Sequence, residues 1–197
     1  MESLFDNISK ALSYPKSDFK QVAESVHQSL SIEFPELAPK VLPYLILTQE
    51  VSLHRLEEMY TNTFDVQAPC YLEVGYVLFG EDYKRGHFLV KMQELQALIG
   101  HDCGSELPDH LPNVIQLILH YPHKDQLPDF LGKLVLPALS KMLRTLPQEH
   151  FYHGLLDVTF ELLKEVYPLS LDHYTPSLDL PTLPTVKSEH EERGLYD

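Results

Sequence analysis

The chain has 197 residues, 44% of them apolar, and a formal net charge of −14. That length fits one domain with a real core. The charge argues against nucleic acid and anionic membrane surfaces, which are held by Lys and Arg, and permits a basic partner such as an Arg-containing peptide, although it serves solubility equally well.

In chain order, Leu4, Phe5, Ile8 and Leu12 make a first helical stripe, stopped at Tyr14-Pro15. Phe19, Val22, Ala23, Val26 and Leu30 make a second, stopped near Pro35. Leu37, Val41 and Leu45 make a third, which Pro39 and Pro43 should shorten or kink. Leu53, Leu56, Tyr60 and Phe64 make a fourth. Tyr71 to Phe79 is apolar almost all round, as in a buried helix, with Gly80 after it as its stop. Asp82 caps the next stripe, Phe88, Met92, Leu95 and Ile99, which Gly100 closes.

Leu111 to Leu119 follows at helical spacing. Asp109 reads as its N-cap, which puts Pro112 at the third helical position and His110 just inside the positive helix end, where its charged form is disfavoured. Leu127, Leu131, Leu134, Ala138 and Met142 make a long helix kinked at Pro137, and Phe151, Leu155, Val158, Leu162 and Val166 make the last, ended by Pro168. Strand alternation, hairpin dipeptides and internal repeats are absent from the pattern. The expectation is an all-α fold: a compact single-domain bundle of about eight to ten helices over residues 1–168. Residues 169–197 read as an extended, partly mobile tail with Pro176, Pro181 and Pro184 and six acids against two bases, whose Leu178, Leu180 and Leu183 could dock on the body.

No stretch approaches the ~20 apolar residues of a membrane span. Met1 to Asp6 lacks the basic and apolar regions of a secretory signal. Cys70 and Cys103 read as cytosolic thiols, with a disulfide between them left open.

The eleven histidines invite a metal hypothesis. His120/His123 and His150/His153 are three apart, and Glu24 with His27 gives a Glu-x-x-His motif without the second that a di-iron bundle needs. Zinc spacing is absent, so the expectation is no metal and no cofactor. Asp109-His110 invites acid–base chemistry, but no nucleophile elbow accompanies it and adjacent helical residues diverge. Gly80 to Gly86 lacks the phosphate-loop form and reads as a helix–helix turn with Lys84 and Arg85 at the surface. The aromatic concentration of Tyr60, Phe64, Tyr71, Tyr76, Phe79 and Tyr83 suits core packing or a peptide groove.

Three segments, Met59 to Asp65, Leu78 to Gly86, and Glu106 to Pro112 with its Pro108-Asp109-His110, together resemble the NarJ-type assembly chaperones, also called nitrate reductase delta subunits, of the TorD/DmsD redox-enzyme maturation family. The resemblance spans roughly residues 1–165. It implies a cytoplasmic, all-helical, non-catalytic chaperone that binds the basic N-terminal segment of a molybdopterin-enzyme catalytic subunit and holds it for cofactor insertion before membrane docking or export. It carries Pro108, Asp109 and His110 over as peptide-groove residues, with Tyr60 and Phe64 beside them. The chain has no Trp, unlike relatives with tryptophans at the groove. A small helical metal-binding enzyme and a general peptide-binding adaptor are the alternatives. The client and the oligomeric state are not legible in the sequence.

Overall fold

The structure, a computed structural model, describes residues 1–65, 67–167 and 169. Apart from Leu169, the expected tail, with Leu178, Leu180 and Leu183, and the Pro168 stop lie outside the described residues. Within them the fold is all-helical: α1 (Glu2–Ala11), α2 (Phe19–Glu33), α3 (Leu42–Glu50), α4 (Leu53–Phe64), α5 (Val74–Phe79), α6 (Tyr83–Leu98), α7 (Leu111–Leu119), α8 (Leu127–Phe130), α9 (Leu136–Thr145) and α10 (His153–Val166).

The stripes become buried faces. Leu4, Phe5, Ile8 and Leu12 of the first stripe are all shut from solvent, as are Leu155, Val158 and Leu162 of the last. Helix α1 packs on α2 and α7, α2 on α3, α5 on α9, and α9 on α10. The core helix is α7, where Leu111, Val114, Ile115, Leu117 and Ile118 are buried on more than one side. Its Pro112 carbonyl accepts from Ser9 Oγ of α1 at 3.0 Å, so even the polar groups at this contact are paired.

The helix boundaries show where proline and capping chemistry act. Ser52 Oγ accepts from the Arg55 N–H, and Asp82 Oδ1 from the Lys84 N–H, which starts α4 and α6 with side-chain caps. Gly80 ends α5 at φ 61°, a backbone region open to glycine.

Four boundaries differ from the sequence reading. The third stripe divides into a 3-10 turn, Ala38–Val41, and then α3, because each proline is accepted at a first turn, where its missing N–H loses nothing. The run from Tyr71 becomes helical only at Val74, because Leu72 and Glu73 pair with a neighbouring segment instead. The bend near Pro137 is a π turn, Leu131–Val135, between α8 and α9, and Pro137 falls in the first turn of α9. The wider turn accommodates a residue that lacks an N–H and whose ring would strike the carbonyl four residues back. The fourth is Asp109, which does not cap α7.

Candidate functional site

Residues 72–75 and 109–111 meet as a short antiparallel seam. The Val74 N–H donates to the Asp109 carbonyl at 3.0 Å, and the Leu111 N–H to the Leu72 carbonyl at 2.9 Å. Glu73 and His110 form the bridge between them. The N-cap of α7 is His110, so Pro112 takes the second helical position rather than the third. The Asp109 carboxylate turns away and accepts from the Gly75 N–H through Oδ2 at 2.8 Å, capping the first turn of α5 from another part of the chain. The sequence reading found the right residue type for a cap but assigned it to its nearest helix.

This contact requires glycine. A Cβ at Gly75 would lie 2.6 Å from Phe88 Cδ1 and 2.8 Å from Asp109 Oδ2. Asp109 is fully buried, and burial raises its carboxyl above the usual range; the Gly75 N–H and the charge of Arg85 pull the other way. Its Oδ1 has no hydrogen-bond partner among the described residues.

His110 is also buried, and burial pushes its pKa down to about 4. Burial therefore favours the neutral imidazole that the sequence reading expected, with desolvation as the cause rather than the helix end. Tyr60 Oη donates to the Leu12 carbonyl at 3.2 Å and lies 3.4 Å from His110 Nε2. A carbonyl can only accept, so the Tyr60 proton goes to Leu12 and the imidazole N–H faces the phenol oxygen.

Beside this seam opens a cleft of about 340 Å³, walled by Phe64, Asp65, Tyr71, Glu73, Tyr76, Glu81 and Arg85. Helix ends build it. Asp65 follows α4, Glu73 precedes α5, Glu81 lies in the turn after α5, and Arg85 stands in the first turn of α6. The Tyr71 and Tyr76 rings meet edge to face at 4.6 Å. The Arg85 guanidinium sits over the Tyr76 ring with Cζ 5.0 Å from its centre. Burial raises the Glu73 carboxyl, the Asp109 carboxylate adds to that, and Arg85 offsets part of it. Among the described residues, three carboxylates against one guanidinium make the cleft acidic. A second hollow of about 510 Å³ runs along α4 and presents Glu57, Glu58 and Tyr14. Tyr14 meets the Tyr60 ring edge-on at 5.5 Å.

The five residues singled out in the sequence are brought into one region and divide by access. Phe64 walls the cleft from a largely buried position, and the Tyr60 ring is 5.0 Å behind it. Asp109 and His110 lie in the seam that carries Glu73. Pro108 is half-buried, with its carbonyl taking the Gln96 amide at 3.2 Å. The sequence reading missed Glu73 and Asp65 as site residues, and it placed Arg85 merely on the surface. For Asp65 and Arg85 the signal was present, since both lie within the segments that carry the resemblance; Glu73 had no such signal.

The other reactive groups are engaged elsewhere. His150 lies 3.4 Å from Thr63 Oγ1 and accepts the Tyr152 N–H through Nδ1. Among the described residues no three His, Cys, Asp or Glu side chains come together as a metal-holding group. Cys70 and Cys103 are free thiols, and burial pushes Cys70 up to about 11. Among the described residues no helix is long and apolar enough to cross a membrane.

No protein-family model and no curated protein matches the chain in sequence. Among solved structures, it is similar to an Archaeoglobus fulgidus protein described as a redox enzyme maturation protein, at 19% identity and a TM-score of 0.58. The match covers 83% of this chain and 94% of that one. At that identity the likeness establishes the fold alone: the two chains share one frame.

Proposed function

We propose that this chain is a cytoplasmic assembly chaperone of the NarJ, TorD and DmsD kind. It captures the basic N-terminal segment of a molybdopterin-enzyme catalytic subunit, of nitrate-reductase type, and holds it for cofactor insertion before membrane docking or export. The observation that carries the reading is the acidic, aromatic cleft of Asp65, Glu73, Glu81, Tyr71 and Tyr76, on a frame shared with a maturation protein. Aromatic rings with polar edges give a peptide contact area, and carboxylates of one sign attract a basic segment and fix its direction.

In this reading the work is binding, not catalysis. Phe64 and Tyr71 receive the apolar parts of the peptide; Glu73, Glu81 and Asp65, with the Tyr76 face, receive its cations. Asp109, His110, Tyr60 and Pro108 hold the cleft wall from behind: the seam fixes Glu73, and the Tyr60–His110 contact ties α4 to the start of α7. The test is calorimetric titration with a synthetic peptide carrying paired arginines. Measurable binding that weakens as salt rises supports the reading, and binding that is absent or indifferent to salt contradicts it.

A further inference from the structure

The cleft is acidic, yet its own wall carries a cation. Arg85 lies over the Tyr76 face, and among the described residues it makes no ion pair within 4.0 Å. Its Nε is shut from solvent and has no hydrogen-bond partner among the described residues. Behind it, fully buried Asp109 keeps one carboxylate oxygen without a partner, and the charge of Arg85 acts on both Asp109 and Glu73. This guanidinium is therefore held by a ring face and a diffuse negative field, not by a closed set of directed bonds. Such a hold fixes a guanidinium less firmly than a bidentate ion pair would. It also selects chemistry, since a planar, weakly hydrated guanidinium stacks on an aromatic face better than a compact ammonium does.

We propose that the Tyr76 face, bordered by Glu73 and Glu81, is a guanidinium seat that Arg85 fills in the free protein and an arginine of the bound peptide takes over. Arg85 is then a resident competitor. It keeps the seat occupied until a peptide offers the same group with further contacts of its own, and it discriminates against peptides whose cations are lysines. The inference rests on the capture reading above and deepens it by naming the group recognised.

The test uses the full chain and two synthetic peptides of equal length and charge, one with paired arginines and one with paired lysines. Arg85→Gln, which empties the seat, should tighten the arginine peptide by about five-fold, the equivalent of ~1 kcal/mol. It should tighten the lysine peptide less. Removing any cation near an acidic cleft raises the affinity for a basic peptide, so Lys84→Gln supplies the control: it makes the same charge change at the neighbouring residue, outside the cleft wall, and should change affinity far less. Arg85→Lys keeps the charge and should also tighten the arginine peptide, by a smaller factor, which keeps the test open if Arg85→Gln folds poorly.

Equal tightening in Arg85→Gln and Lys84→Gln, or no preference for arginine, overturns the inference in favour of general electrostatics. Loosening in Arg85→Gln overturns it by showing that Arg85 itself grips the peptide. In either case a loss of affinity in Glu73→Gln leaves peptide capture standing. If Glu73→Gln also binds as the wild type does, the capture reading falls as well.

Discussion

The seam and the cleft share Glu73 but are opposite environments. The seam encloses Asp109 and His110 away from water and joins two backbones with directed hydrogen bonds. The cleft next to it keeps Glu81 and Asp65 exposed, and the Arg85 cation of its wall rests on a ring. Buried polar groups with directed partners fix a shape, whereas solvated charges around aromatic rings are free to take a partner. The residues most distinctive in the sequence therefore need not be the ones that touch a ligand.

Substitutions at four positions separate the two regions, and the largest effects fall in the seam. Gly75→Ala drives a Cβ into Phe88 and the Asp109 carboxylate. Overpacking costs ~1–3 kcal/mol and a stranded buried hydrogen-bonding group a similar amount, so chemical denaturation should show a loss of about 4 kcal/mol. A loss below ~1 kcal/mol would mean that the seam yields easily.

His110 supplies the pH dependence. Its imidazole is neutral in the fold, with its pKa held at about 4, whereas in the unfolded chain it takes a proton near 6.5. Its contribution to stability is complete above pH 6.5 and is lost as pH falls toward 4, by up to ~3 kcal/mol. Replacement by Gln should flatten the stability–pH curve across that window relative to wild type. An unchanged slope would place the acid sensitivity in other groups.

Asp109→Ala removes the acceptor for the Gly75 N–H and should cost ~1–3 kcal/mol, while Asp109→Asn keeps an acceptor of the same shape. Burial already disfavours the Asp109 charge, so the Asn variant should lie within about 1 kcal/mol of wild type near neutral pH. Equal losses in the two variants would show that the charge, not the hydrogen bond, holds the seam. The smallest stability effects belong to the cleft: Glu81→Gln alters an exposed carboxylate and should leave the melting temperature unchanged, while weakening a basic peptide by a factor of a few, the scale of one exposed charge pair.

Periodicity was enough to read the all-helical frame, because most of the apolar residues of each stripe become a buried face. The caps of α4 and α6 fit local chemistry too, since Ser52 and Asp82 bond within their own first turns. Asp109 was misassigned because its partner, Gly75, is 34 positions away, and spacing carries no information about that distance. The π turn before Pro137 was beyond reach for a related reason: proline announces a break but not the register by which the helix resumes. In the cleft, Tyr71 and Tyr76 were visible as an aromatic concentration. Glu73 was not, because a carboxylate just before a short helix looks like any solvated residue until the seam turns it into the cleft wall.

The central claim is that the cleft captures a basic peptide while the seam supplies its shape. The most direct measurement is one calorimetric titration series of the paired-arginine peptide into wild type, the Glu73→Gln/Glu81→Gln double variant and Asp109→Asn, with melting temperatures recorded alongside. The account predicts that the double variant binds several-fold more weakly with an unchanged melting temperature, and that Asp109→Asn binds as wild type does. Undiminished binding in the double variant, together with loss in Asp109→Asn, would contradict it and place the recognition in the seam itself.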